Sequence, residues 1–189
     1  MDYLLSIVIP TKNRQEFCIE AIREILSMNL EDTQIVIQDN SEEDFLKADI
    51  EQLNCSNIKY HYSAGILSFV DNFSEAVSLA DGEYICMIGD DDGILPNIIN
   101  VVKMAKKQGY DAVVPGLNVV YCWPSEHSFV KNGENGYLCM SYLYNRQIKI
   151  NCKKGLSRLM KQAGQNYQQT DIPRLYHGIV KKNAYMLSN

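Results

Sequence analysis

The chain has 189 residues, 46% of them hydrophobic and 22% charged, which fits one globular domain with at most a small extension and room for a sizeable core. A formal net charge of −5 supplies no global basic field to attract nucleic acid. No apolar run approaches the roughly 20 residues of a transmembrane helix, and no basic segment precedes an apolar one at the N-terminus, so neither a membrane span nor a signal peptide is expected.

The first ~120 residues alternate strand and helix patterns, the signature of a mostly parallel sheet with helices on both faces. Leu4 to Ile9 is a continuous apolar run ended by Pro10, as buried parallel strands read. Asn13 reads as a helix N-cap, with Glu16 three residues on completing a capping box. Cys18, Ala21, Ile22, Ile25 and Leu26 recur at helical spacing and predict a buried stripe. Gln34 to Gln38 is a second strand, ending at Asp39-Asn40-Ser41, and a helix from about Glu42 to Leu53 follows. Ile58 to Tyr62 is a short third strand. Ser68 to Ala80 predicts a helix with Phe69, Phe73, Ala76, Val77 and Ala80 on its core face, ended by Asp81-Gly82.

Tyr84 to Ile88 is a fourth, buried strand that runs into Gly89-Asp90-Asp91-Asp92-Gly93. Pro96 opens the next helix at a favoured early position, with Leu95, Ile98, Ile99, Val102 and Ala105 as its buried stripe. Lys103, Lys106 and Lys107 form a solvated face that suits the helix C-terminus. Ala112 to Val120 is a fifth strand. Beyond Tyr121 the pattern weakens: a polar, turn-rich stretch to Gly136, an aromatic stretch Tyr137 to Tyr144, a basic helix Lys153 to Lys161, then His177-Gly178-Ile179-Val180. The pattern thus divides the chain into a regular strand–helix core over 1–121 and a less regular region over 122–189. None of the six cysteines forms a CxxC pair. Cys18 and Cys86 fall on apolar faces, so a reducing, cytoplasmic setting is favoured over disulfides or zinc.

Ligands of open parallel sheets bind beyond the C-terminal strand edges. Three polar clusters fall there: Pro10-Thr11-Lys12-Asn13-Arg14, Asp39-Asn40-Ser41 and Asp90-Asp91-Asp92. Each alone is also an ordinary strand end, cap or turn. Together they describe one pocket rim. Three adjacent carboxylates at the end of a buried strand repel one another and call for a counter-ion. A divalent cation with hard oxygen ligands supplies one and can grip a diphosphate.

Ser6-Ile7-Val8-Ile9-Pro10-Thr11-Lys12-Asn13-Arg14, then Ile35 to Ser41, then Gly82-Glu83-Tyr84-Ile85 through Asp91-Asp92-Gly93-Ile94-Leu95-Pro96 resemble family 2 glycosyltransferases of the GT-A fold. The resemblance covers roughly the first 120 residues, in order and spacing, and implies a donor-side core over 1–121 and a partial, truncated acceptor-side region over 122–189. It implies a nucleotide-sugar donor site in which Pro10, Thr11, Asn13 and Arg14 wrap the nucleoside and Asp39 accepts a hydrogen bond from a pyrimidine base. A local turn or cap is the alternative for Asp39. It also implies a DXD-like motif in which Asp91 is the main ligand of Mg²⁺ or Mn²⁺, Asp92 a second acid at the metal, and Asp90 a contact to the ribose or a sharer of the metal.

This chain departs from the family pattern at three places. The usual first acid of the motif falls on Gly89. An Arg that often precedes Asn72 is Asp71, so UDP is a default and other pyrimidine nucleotides stay open. The general base of an inverting displacement is expected beyond Asn189; Asp171 is the internal candidate, with a turn cap before Pro173 as its alternative. Glu126 and Glu134 are weaker, while His177 is either a lining residue of the acceptor site or an ordinary packed or surface histidine. The resemblance therefore implies an inverting, metal-assisted transferase that acts on a hydroxyl of a glycan or lipid-linked acceptor, as in cell-surface polysaccharide synthesis. It implies a cytoplasmic location with peripheral contact at the inner face of the membrane, and leaves homo-oligomerisation open. The alternatives are a donor-binding module or fragment without turnover and, more weakly, a sugar-nucleotide pyrophosphorylase. The last would want a glycine-rich loop where Pro10 to Arg14 has no glycine.

Overall fold

A computed structural model describes residues 3–114, 117–122, 137–142, 149–161 and 178–186. The chain divides into two units, Met1–Val113 with Pro173–Asn189, and Val114–Ile172.

The first unit is built on a six-stranded sheet. Its strands are β1 (Leu5–Thr11), β2 (Thr33–Asp39), β3 (Ile58–Tyr62), β4 (Tyr84–Met87), β5 (Ala112–Val113) and β8 (Ile179–Lys181). They lie in the order β3-β2-β1-β4-β8-β5. β1 runs parallel to β2 and β4, and β2 to β3, while β8 is antiparallel to both of its neighbours. The sheet is thus mostly parallel, as expected. Pro10 sits two residues beyond Val8, the last β1 residue paired with β4. Its missing N–H therefore costs no ladder bond in a central strand.

Alternation along the strands makes two cores. Leu5, Ile7, Ile9, Ile35, Ile37 and Cys86 face α1 (Gln15–Ser27), α2 (Leu46–Leu53) and α4 (Ile98–Gln108) through Cys18, Ile22, Ile25, Leu46, Ile98, Val102 and Ala105. Val8, Val36, Ile85 and Met87 face α3 (Phe69–Ser78) through Phe73, Ala76 and Val77. Burial in the first core pushes the Cys86 thiol pKa up to about 12, so that thiol is inert packing. A polar joint locks β4 beside β1. Gly82 N–H donates to Ser6 Oγ at 2.8 Å, and a Cβ on Gly82 would lie 2.5 Å from Ser6 N. Ser6 Oγ in turn donates to Gln34 Oε1, also at 2.8 Å.

Several expectations need correction. Asn13 is not the cap of α1: it has φ 55°, Arg14 stands at the N-cap, and no side chain caps the helix. The Asn13 amide is spent elsewhere, as described below. Phe69 is 67% exposed because it opens α3, where the stripe has run past the sheet; its ring stacks on Phe73 at 4.2 Å between centroids. Leu95 is 65% exposed because α4 begins three residues later, at Ile98. The single strand expected over 112–120 is two elements, β5 and β6 (Leu117–Cys122). The segment around Ile179 completes the central sheet between β4 and β5.

The second unit contains a two-stranded antiparallel sheet of β6 and β7 (Tyr137–Tyr142), in register from Leu117 opposite Tyr142 to Cys122 opposite Tyr137. It also contains α5 (Cys152–Lys161), while the short α6 (Lys182–Met186) belongs to the first unit.

Candidate functional site

β1, β2 and β4 end side by side, and their C-terminal residues meet. Thr11 Oγ1 donates to Asp90 Oδ2 at 2.8 Å, joining the end of β1 to the turn after β4. Arg14, the residue before α1, reaches the same turn. Its Nε lies 3.2 Å from Asp90 Oδ1 and its Nη2 lies 2.5 Å from Asp91 Oδ2. The Phe17 ring backs the guanidinium, with Arg14 Cζ 5.0 Å from its centroid. Burial raises the Asp90 carboxyl above its ordinary pKa, against the opposing pull of the Thr11 hydroxyl and Arg14. The hydrogen bond to Asp91 raises the Arg14 pKa, so its charge is permanent.

Asp92 turns back into its own turn, where its Oδ2 accepts the Gly89 N–H at 2.9 Å. A Cβ on Gly89 would stand 2.7 Å from that oxygen. An acid at position 89 and Asp92 in its present place therefore exclude one another.

Asp39 ends β2 and is fully buried. Its Oδ1 accepts the Ser41 N–H at 2.9 Å. Its Oδ2 is approached by Gln15 Nε2 at 3.2 Å and Tyr60 Oη at 3.1 Å. Tyr60 Oη also lies 2.5 Å from Asp44 Oδ1. Burial, followed by these carboxylates, drives the Tyr60 pKa far up, so the phenol stays a neutral donor. Asn13 ties the loop after β1 to the loop after β2: its N–H donates to Ser41 Oγ at 2.7 Å and its Oδ1 accepts the Glu42 N–H at 3.1 Å. Asn40 does the same for the loop before α3, exchanging two bonds with the Leu67 backbone at 2.9 and 3.0 Å. Asn72 of α3 donates to the Thr11 carbonyl at 3.3 Å, while its Oδ1 is buried without a hydrogen-bond partner among the described residues.

The fold thus brings Thr11, Arg14, Asp90 and Asp91 into one cluster, with Asp39 in a neighbouring one linked through Asn13 and Gln15. Pro10 is buried in β1 and shapes the strand end rather than presenting a polar group. Asp171, His177, Glu126 and Glu134 lie outside the described residues. Gln15 and Tyr60 escaped sequence reasoning. Both are polar groups within amphipathic elements, and only the packing of α1 and β3 beside the end of β2 brings them to Asp39.

Among the described residues, no three His, Cys, Asp or Glu side chains form a ready-made metal cage. The donor set is nonetheless suited to Mg²⁺ or Mn²⁺ of the kind that takes one or two carboxylates and completes its shell with phosphate and water. Asp91, with a side chain 39% exposed, offers such an oxygen. Asp92, held in the same turn through the Gly89 N–H on its Oδ2, would offer another. No helix among the described residues is long and apolar enough to cross a membrane.

Comparison with known proteins gives a match to the model described as "Glycosyl transferase family 2" over residues 6–173. The chain is 27% identical over 109 residues to the GalNAc(5)-diNAcBac-PP-undecaprenol beta-1,3-glucosyltransferase of Campylobacter jejuni, covering 56% of this chain and 35% of that one. It is 33% identical over 107 residues to WcaA of Escherichia coli, named for colanic acid biosynthesis, covering 56% and 38%. The matches thus span well under half the length of these relatives. Among solved structures, S. aureus TarS 1-349 superposes with a TM-score of 0.52 at 18% identity, covering 60% of this chain and 35% of that one. The same protein in complex with UDP gives 0.50 at 17% identity. These likenesses, with the mostly parallel sheet, establish the GT-A architecture.

Proposed function

The chain belongs to glycosyl transferase family 2, and from that premise we propose that it holds a nucleoside-diphosphate sugar at the C-terminal edge of β1, β2 and β4 and transfers the sugar, with inversion, to an acceptor hydroxyl. The observation that carries this reading is the convergence of Thr11, Arg14, Asp90 and Asp91 beside the buried Asp39 network. The only cation bonded to those acids among the described residues is the Arg14 guanidinium.

Asp39 is the acceptor for the base. A pyrimidine imide N–H takes the place of the Gln15 amide on Oδ2, while Ser41 N–H and Tyr60 Oη hold the carboxylate still. UDP is the default nucleotide on that chemistry. Asp91 holds the divalent cation. Asp90, buried and tied to Thr11, orients Arg14 and faces the ribose. The cation, when bound, supplies Lewis-acid neutralisation of the diphosphate as it becomes the leaving group. The acceptor is a glycan or lipid-linked hydroxyl, met at a membrane surface from the cytoplasmic side.

Calorimetric titration with UDP, with and without Mn²⁺, beside an Asp91→Ala variant tests the reading. Binding that depends on Mn²⁺ and disappears in the variant is expected. A folded chain that binds none of UDP, CDP, dTDP and GDP with Mn²⁺ present refutes it.

A further inference from the structure

Asp90 and Asp91 share a cation. One guanidinium bridges them, through Nε to Asp90 and Nη2 to Asp91, with Phe17 behind it. The Asp91 oxygen it contacts belongs to the side chain assigned above to the divalent cation. Resting on that assignment, we propose that Arg14 is a resident counter-ion that keeps a bare divalent cation off Asp91 and yields only to cation and diphosphate arriving together.

The physical case has three parts. A divalent cation at Asp91 places two like-signed groups on one carboxylate, and their repulsion opposes the bare ion. A diphosphate reverses the balance, because it adds negative charge and offers a guanidinium a bidentate partner to replace the one it gives up. Arg14 can make that exchange without disturbing the core. Its side chain is 45% exposed, it precedes α1 rather than lying within it, and its neighbour Phe17 is 40% exposed. Asp90 stays behind, fixed by the Thr11 hydroxyl. Arg14 thus couples the two ligands. Linkage then requires the diphosphate to gain from the metal the same factor that the metal gains from the diphosphate.

The test is equilibrium dialysis of the chain against Mn²⁺ alone and against Mn²⁺ with inorganic pyrophosphate, counting the excess metal on the protein side. Pyrophosphate removes any dependence on the base. Wild type should bind Mn²⁺ alone weakly and Mn²⁺ with pyrophosphate roughly tenfold or more tighter. Arg14→Ala should tighten binding of Mn²⁺ alone by roughly tenfold and shrink the gain from pyrophosphate. Arg14→Lys, which keeps the charge, should bind Mn²⁺ alone as weakly as wild type. Unchanged affinity for Mn²⁺ alone in Arg14→Ala, with binding abolished in Asp91→Ala, would overturn the counter-ion role and leave the site standing. Equal tightening in Arg14→Lys and Arg14→Ala would overturn the charge argument. No excess metal with any folded variant in either condition would overturn both the coupling and the site.

Discussion

Substituting Gly89 by alanine probes how the acidic turn is held. The added Cβ would lie 2.7 Å from Asp92 Oδ2 and 3.2 Å from Asp91 Oδ1. Both are ends of side chains, so the backbone can stay, but the Asp92 carboxylate must leave the Gly89 N–H that it accepts at 2.9 Å. A hydrogen bond to a charged group contributes about 1.5–3 kcal/mol. The loss of unfolded-state entropy on replacing glycine returns about 0.4–1 kcal/mol. The net cost is about 0.5–2.5 kcal/mol, which at roughly 2 kcal/mol/M lowers the urea midpoint by about 0.3–1.2 M with an unchanged slope. The decisive comparison is a double-mutant cycle with Asp92→Ala. If Gly89→Ala acts by evicting that carboxylate, it should cost nothing in the Asp92→Ala background, or stabilise slightly. The same cost in both backgrounds would refute the mechanism.

Three further outcomes follow from the same geometry. Gly82→Ala forces a Cβ to within 2.5 Å of Ser6 N and 2.7 Å of the Leu5 carbonyl carbon, both backbone atoms that cannot step aside. A loss of about 2–4 kcal/mol is expected in urea denaturation, and a loss under about 1 kcal/mol would contradict the close docking of β4 on β1. Tyr60→Phe removes the hydroxyl that Asp39 and Asp44 share and should cost about 1–3 kcal/mol in the same assay, whereas neutrality would mean that it holds neither carboxylate. Asp81 is held below its ordinary pKa of 3.8 by the Gln34 amide and then by Lys59. Its folded pKa lies below the unfolded one, so its contribution is present above that ordinary value and disappears as pH falls through the folded value. Lys59→Met should therefore shrink the drop in stability between about pH 5 and pH 3, by a small amount because the pair is half-exposed; an unaltered drop would refute the assignment.

The strands of the central sheet were legible because parallel strands buried on both faces read as near-continuous apolar runs, as in Leu5 to Ile9, interrupted only by Ser6, and Ile35 to Ile37. Helical stripes were legible where a helix lies over the sheet and misleading where it overhangs. Phe69 and Leu95 carry the right periodicity but stand at or before a helix start. The strand expected over 112–120 ignored Pro115-Gly116, a dipeptide that signals a break. β8 has three residues, and its partners Tyr84 to Cys86 lie some 95 residues away, so nothing local announces it. Of the candidate site, the acids and the segment Pro10 to Arg14 were visible as strand-end clusters. Their pairing was not. That Arg14 should bridge Asp90 and Asp91, Thr11 hold Asp90, and Gln15 and Tyr60 cover Asp39 depends on contacts spanning 21 to 79 residues.

The most direct measurement is the anomalous difference map of crystals grown with UDP and Mn²⁺. The account predicts a single Mn²⁺ peak within coordination distance of an Asp91 carboxylate oxygen, with the Arg14 guanidinium moved from Asp91 onto the diphosphate and the uracil imide facing Asp39. UDP bound with Arg14 still bridging Asp90 and Asp91, and no metal at Asp91, would contradict it.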